Sequence, residues 1–331
     1  MAVTQKNDTK IMDQDFVVIY SDEITTDEEP EVIRIFGDTR YETGYKVAKV
    51  LKEELGIEKF EAVVVATGKN FADALAGSYL AVQKNAPIIL TNGKSDNIAQ
   101  LHEYIRTNVV SGGTVYILGG EAAVPNAVES VSGYTIKRLS GSTRYDTNIE
   151  ILKEAGITGD TLIVATGKSF ADSLSASATK LPILLVRPGK TLNTEQKDIL
   201  NGMKNIYIIG GTGAVSESYA NELMAYGEVE RVYGASRYDT SVAVANTFFN
   251  NVDVAVVASG KNFPDGLCGG SLAAAMNAPL VLTADGKTTA AADYMQTKEI
   301  DAGYVLGGTG ALGNHSVVSI FGLGSADEII E

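Results

Sequence analysis

The side chains in this chain best equipped for chemistry are cations that recur. Arg40, Arg144 and Arg237 each follow a glycine by three positions (Gly37, Gly141, Gly234), precede a tyrosine by one and precede a threonine by three. A second series, Lys69, Lys168 and Lys261, closes the triplets Thr67-Gly68-Lys69, Thr166-Gly167-Lys168 and Ser259-Gly260-Lys261. Glycine lets backbone approach a ligand, a helix N-terminus offers unpaired N–H groups, and arginine supplies a planar fork for phosphate or carboxylate. Such a set binds an anion without transforming it. The candidate ligand-binding residues are therefore Arg40, Arg144, Arg237, Lys69, Lys168, Lys261, Thr67, Thr166 and Ser259. The same arginines equally suit a structural task, pairing with carbonyls or with the acids Asp73, Asp172 and Asp265.

Catalytic constellations are poor by comparison. The two histidines, His102 and His315, have no counterparts in the other copies, which excludes a repeated histidine site, and both are expected at the surface. The Asp73, Asp172 and Asp265 series could serve as a general base, but its place just after a strand also suits an acid interacting with a helix N-terminus. Thr166-Gly167-Lys168-Ser169 looks like the tail of a phosphate-binding loop, yet Leu162 stands where the upstream glycine is required. Gly308, Gly310 and Gly313 fit a dinucleotide fingerprint, but the chain is nearly finished and no acidic residue ends a following strand. Neither a catalytic set, a metal site nor a cofactor is expected.

The elements that position these residues come in three copies. The second arginine of the repeat recurs after 104 residues and again after 93, too long for a solenoid and right for a small domain. Continuously apolar runs, Val63 to Ala66, Leu162 to Ala165 and Val254 to Ala258, read as strands buried on both faces of a parallel sheet. Each passes through Gly-Lys into a helical segment, where Phe71, Leu75 and Tyr79 form one inward stripe. Thr39, Thr143 and Ser236 stand as N-caps for the helices that carry the Arg-Tyr pairs. Pro87, Pro182 and Pro279 each open a further apolar run, and Gly119-Gly120, Gly210-Gly211 and Gly307-Gly308 end a last strand. The expected fold is α/β: three homologous Rossmann-like modules with short parallel sheets and right-handed crossovers, packed together. Expected boundaries are 1–31 for an acidic segment with one strand, then 32–133, 134–230 and 231–331. Cys268, aligned with Ala76 and Ser175, is expected to be a buried small side chain.

Charge limits the partners. With 41 acidic against 27 basic residues the net charge is −14, so bulk attraction to nucleic acid or any polyanion is excluded and an anionic ligand must be held locally. No run of 18 or more apolar residues suggests a membrane span. Asp22 to Glu31 reads as a solvated linker, and no signal-peptide pattern precedes it. The apolar run Phe16 to Tyr20 is expected as an edge strand of the third module, which lacks the strand its neighbours borrow from the start of the next copy.

The ordered motifs, Arg-x-x-Gly-x-x-Arg-Tyr-x-Thr, then Ala-Thr-Gly-Lys-x-Phe-Ala-Asp-x-Leu, then Pro-Ile-Leu-Leu, then Ile-Leu-Gly-Gly-x-x-Ala-Val, resemble the cell wall binding repeat 2 family of clostridia and related Gram-positive bacteria. The resemblance spans roughly residues 32–331, with Pro264, Ser259 and the loose run Pro279 to Leu282 as departures in the third copy. It implies a compact pseudo-threefold assembly that anchors S-layer and other surface proteins non-covalently to an anionic, teichoic-acid-like secondary wall polymer. It implies an extracellular location at the cell wall and a binding module rather than an enzyme, with Arg40, Arg144 and Arg237 as the polymer contacts. The rival readings are an enzyme using Asp73, Asp172 and Asp265 on a phosphorylated sugar or wall glycan, and a regulator of a wall hydrolase.

Overall fold

The computed structural model describes residues 30–331. The elements follow one another as β1 (Glu31–Ile35), α1 (Arg40–Glu54), β2 (Phe60–Thr67), α2 (Ala72–Ala76), α3 (Ser78–Gln83), β3 (Ile88–Thr91), α4 (Ser95–Asn108), β4 (Val109–Leu118) and β5 (Thr135–Leu139). The second round is α5 (Arg144–Ala155), β6 (Thr161–Thr166), α6 (Ala171–Ala176), β7 (Ile183–Val186), α7 (Thr194–Leu200), β8 (Asn205–Ile209), α8 (Glu217–Leu223) and β9 (Glu228–Val232). The third is α9 (Arg237–Phe248), β10 (Val254–Ser259), α10 (Pro264–Ala275), β11 (Leu280–Thr283), α11 (Thr289–Lys298), β12 (Ala302–Leu306), α12 (Asn314–Phe321) and the short β13 (Ile329–Ile330).

These strands form three sheets, β3-β2-β4-β5, β7-β6-β8-β9 and β11-β10-β12-β1-β13, and every pairing between the described strands is parallel. Each sheet borrows a strand from the start of the next copy: β5 lies on β4, β9 on β8, and β1 returns from the beginning of the chain to lie on β12. The ring is thus closed by Glu31–Ile35. The strand expected to do this, Phe16 to Tyr20, lies outside the described residues, and the place beside β12 is occupied by β1, with Arg34 paired to Val305 and Ile35 to Leu306.

The apolar runs are buried on both faces, as their composition requires; Val63, Val64, Val65 and Ala66 are all fully buried. Along β2 alternate residues serve different cores. Val63 and Val65 pack with Leu101 and Ile105 of α4 in a core private to the first module, whereas Val64 and Ala66 join an apolar cluster running through all three modules. The helix that opens each module supplies the contact to its neighbour: α1 packs on α10, α5 on α2 and α3, and α9 on α6. Small residues let these helices approach. Cys268 is buried as expected, its sulfur 3.1 Å from where a Cβ on Gly44 would stand.

The pseudo-threefold axis is marked by Phe71, Phe170 and Phe263. Their ring centroids are 6.0, 5.7 and 5.8 Å apart, each ring tilted on the next in the edge-on manner aromatic quadrupoles favour. The inward stripe is therefore divided: Leu75 and Tyr79 enter the core while Phe71 turns to the axis. His102 also departs from expectation. It is 9% exposed, with Nε2 donating to the Val128 carbonyl at 3.0 Å, because the 3-10 turn Asn126–Ser130 folds over α4. His315 is exposed.

Candidate anion-binding site

The carboxyl ends of the strands carry the repeated motifs. In each sheet the chain leaves the β2-type strand towards one edge and returns to the β4-type strand on the other side, the crossover beside which open parallel sheets commonly bind ligands. The start of the Arg-Tyr helix lies against the turn that follows the β2-type strand in all three modules. Thr39, Thr143 and Ser236 cap these helices in complete capping boxes with Glu42, Asp146 and Asp239. Arg40, Arg144 and Arg237 are therefore the first helical residues.

Almost every residue of the first motif has a structural partner. Thr43, Thr147 and Thr240 accept through Oγ1 from the backbone N–H of Gly37, Gly141 and Gly234 at 3.1, 3.0 and 3.0 Å. A Cβ on any of those glycines would stand 2.3 to 2.4 Å from the Cβ of the capping acid, so only glycine closes the turn. Tyr41, Tyr145 and Tyr238 lie across Gly68, Gly167 and Gly260, with the ring edge 2.5 to 2.7 Å from where a Cβ would be. The leading arginines act as latches between copies. Arg34, Arg138 and Arg231 donate through Nη1 to the carbonyls of Gly307, Gly119 and Gly210 at 2.8, 2.8 and 2.9 Å.

The second arginine series does two things at once. Nη1 of Arg40, Arg144 and Arg237 donates to the carbonyl of Gly68, Gly167 and Gly260 at 2.9, 2.8 and 2.7 Å. Arg144 and Arg237 also stand 5.3 Å from the ring centroids of Phe71 and Phe170 in the preceding module. The remaining N–H groups of each fork have no hydrogen-bond partner among the described residues, while Arg40 and Arg237 are exposed and Arg144 half-buried. One donor is thus committed to the fold and the others are without a hydrogen-bond partner among the described residues.

The aspartates are inward structural acids. Oδ2 of Asp73, Asp172 and Asp265 lies 2.6, 2.6 and 2.7 Å from where a Cβ would stand on Gly119, Gly210 and Gly307, which also hold φ of 94°, 110° and 97°. Burial raises all three carboxyls above their ordinary value, Asp172 to about 6, and the arginine of the next module (Arg144, Arg237 and Arg40 respectively) opposes that rise. Each acid therefore feels an arginine across a module boundary.

The structure separates the remaining candidates. Thr67, Thr166 and Ser259 are 4%, 2% and 3% exposed, and their hydroxyls accept from the backbone N–H of Lys69, Lys168 and Lys261. They shape the turn, which nearly encloses them. The three lysine side chains are exposed beside it. Asp285 accounts for the fingerprint-like glycines of the third copy: Oδ1 accepts from Gly313 N–H at 3.0 Å and from Ser316 Oγ at 2.7 Å, so an acid of the chain itself occupies the place a phosphate would take.

A further cation series was not recognised in the sequence. Gly93-Lys94, Gly189-Lys190 and Gly286-Lys287 follow β3, β7 and β11, each glycine with φ near +73° (74°, 72° and 73°) and each lysine exposed. The signal was present as a repeated Gly-Lys pair, but its spacing from the preceding strand differs between copies. The carboxyl end of each sheet thus carries one arginine and two lysines of these repeated series.

Comparison with known proteins agrees with the threefold reading. The sequence model of cell wall binding domain 2 (CWB2) matches residues 34–129, 138–220 and 231–318. The N-acetylmuramoyl-L-alanine amidase LytC of Bacillus subtilis (strain 168) is 29% identical over 297 residues, covering 85% of this chain and 56% of the amidase. The amidase enhancer of the same organism is 28% identical over 275 residues, covering 81% of this chain and 37% of that protein. The chain thus spans little more than half of the one and little more than a third of the other. Among solved structures, Cwp8 from Clostridium difficile superposes with a TM-score of 0.78 at 26% identity, covering 90% of this chain and 53% of Cwp8. Cwp6 from the same organism shares the fold, with a TM-score of 0.75 at 23% identity, covering 94% of this chain and 52% of Cwp6. Three tandem matches, laid on three sheets that exchange strands around one axis, establish that the chain belongs to the cell wall binding domain 2 family.

Proposed function

We propose that this chain anchors a surface protein non-covalently to the Gram-positive cell wall by binding an anionic secondary wall polymer outside the cell. Membership of the family supports binding to the wall. The finer reading rests on one observation: in a chain of net charge −14, the same arginine and lysines are presented at the carboxyl edge of three separate sheets. Short-range cations within a repelling field favour a polymer whose charges are spaced to meet them, and attachment through three sites gains by effective concentration even where each is weak.

The experiment is co-sedimentation with peptidoglycan sacculi that retain their secondary polymer and with sacculi stripped of it by hydrofluoric acid. Because each arginine of the second series also holds a backbone carbonyl, the informative variant replaces Lys69, Lys168 and Lys261 with glutamine. Binding to intact sacculi, lost on stripping and weakened in the folded triple variant, is the expected result. Equal binding to both preparations would overturn the polymer reading. The amidase and amidase enhancer among the relatives favour a second reading, in which the wall-bound modules position or regulate a hydrolase. Recovery of a wall hydrolase with this chain after the polymer has been stripped would support it.

A further inference from the structure

The carboxyl ends of the three sheets are not equivalent. Seven residues, 187–193, link β7 to α7 in the second module, against 92–94 between β3 and α4 in the first and 284–288 between β11 and α11 in the third. The longer loop carries Arg187, whose counterparts after the strand are Asn92 and Ala284. It borders a cleft of about 340 Å³ lined by Arg144, Tyr145, Gly167, Lys168, Arg187 and Pro188.

Three cations from three different elements meet there: Arg144 from the helix start, Lys168 from the turn after β6, and Arg187 from the turn after β7. No acidic residue lines the cleft. Arg187 is exposed, and its side chain makes no hydrogen bond or ion pair among the described residues, so nothing in the fold accounts for a guanidinium at that point. In the third module the loop carries Asp285 instead, already engaged with Gly313 and Ser316 and placing negative charge where the second module has none.

We infer that the cleft of the second module is the principal ligand site of this chain, that it takes a phosphodiester-linked sugar unit, and that Arg187 sets its affinity. This rests on the anionic-polymer reading above and sharpens it. The charged linkage would lie among the three cations, and the flanks of Tyr145 and Pro188 would receive the less polar face of the sugar. Guanidinium forks suit phosphate oxygens, and a chain that repels polyanions at long range gains most where several cations act together.

The test is calorimetric titration of the full chain with poly(glycerol phosphate), with polygalacturonate as a carboxylate polymer of similar charge. Arg187→Ala, Asn92→Ala and Asp285→Ala are compared, each checked for folding by circular dichroism. Expected is a loss of about tenfold or more in Arg187→Ala, the scale of one charge-assisted hydrogen bond, with partial rescue in Arg187→Lys and less than about twofold change for Asn92→Ala. Asp285→Ala should not weaken binding. Unchanged affinity in Arg187→Ala, while the unsubstituted chain binds poly(glycerol phosphate), would overturn this inference and leave the anchoring reading standing. No binding of poly(glycerol phosphate) by the unsubstituted chain would overturn both, and binding of polygalacturonate alone would overturn the phosphodiester assignment.

Discussion

At the scale of single residues, the repeated motifs hold charge in places that cost stability. Asp172 is pressed against Gly210 and faces Arg237 from the neighbouring module; burial raises its carboxyl from 3.8 to about 6 despite that arginine. In the unfolded chain the same group titrates near its ordinary value, so between about pH 6 and pH 4 the folded state holds more protons than the unfolded one. Folding should therefore become more favourable as pH falls through this window, and the ionised carboxylate should weaken the fold above it. Asp73 and Asp265 shift in the same direction for the same reason. Acids lowered by partners, such as Glu154 beside Lys137, lose their contribution only at lower pH. Asp172→Asn should accordingly raise stability at pH 7.5 by on the order of 1–2 kcal/mol and flatten the slope between pH 7.5 and pH 5. Urea midpoints at the two pH values measure this. A loss of stability at pH 7.5 would mean that attraction to Arg237 outweighs burial.

At the scale of elements, the helix interfaces between modules depend on the absence of side chains. A Cβ on Gly270 in α10 would stand 2.5 Å from Oγ and 2.8 Å from Cβ of Ser177, and Ser177 is held in place because Oγ donates to the Leu174 carbonyl at 2.7 Å. Alanine in a helix interior gains roughly 1 kcal/mol over glycine, but overpacking typically costs ~1–3 kcal/mol. Gly270→Ala should thus destabilise the chain, and Gly270→Ala combined with Ser177→Gly should recover a coupling of about 1 kcal/mol in a double-mutant cycle by urea unfolding. Additive effects would show that the helices have room to part. Local signals made much of this legible: the apolar runs gave the buried strands, and Thr39, Thr143 and Ser236 gave the helix starts. The borrowed strand is legible from the repeat, but the strongly apolar run Phe16 to Tyr20 is the more conspicuous strand signal before the first module, whereas the place beside β12 is taken by Glu31–Ile35. The repeat register alone places Val32 with Ile136 and Val229, and Ile35 with Leu139 and Val232. The burial of His102 and the convergence of Arg187 with Arg144 and Lys168 depend on contacts that no local pattern encodes.

At the scale of the whole molecule, the ring is closed between its two ends in sequence, and Arg34 is the residue that carries the closure. It is 2% exposed, donates to the Gly307 carbonyl and to Asn314 Oδ1 at 2.8 Å each, and comes from a strand lying between β12 and β13. Its equivalents Arg138 and Arg231 latch their own neighbours but are half-buried and pair with Glu129 and Glu217. Replacing Arg34 with alanine strips a buried carbonyl of its donor and leaves a cavity between strands that are distant in sequence, a loss of roughly 2–4 kcal/mol. If β1 completes the third sheet, the damage should appear there: amide hydrogen exchange should accelerate in β12 and β10 of Arg34→Ala while β2 and β3, near in sequence but in another sheet, keep their protection. Arg138→Ala should act on β4 with a smaller effect, since its site is more open to water. Faster exchange confined to the first sheet in Arg34→Ala would mean that the modules are joined as a chain of domains. Exchange spreading from β1 into the third sheet would mean that each module's stability depends on its neighbour, so that a change at one module boundary is felt by a fold shared among three.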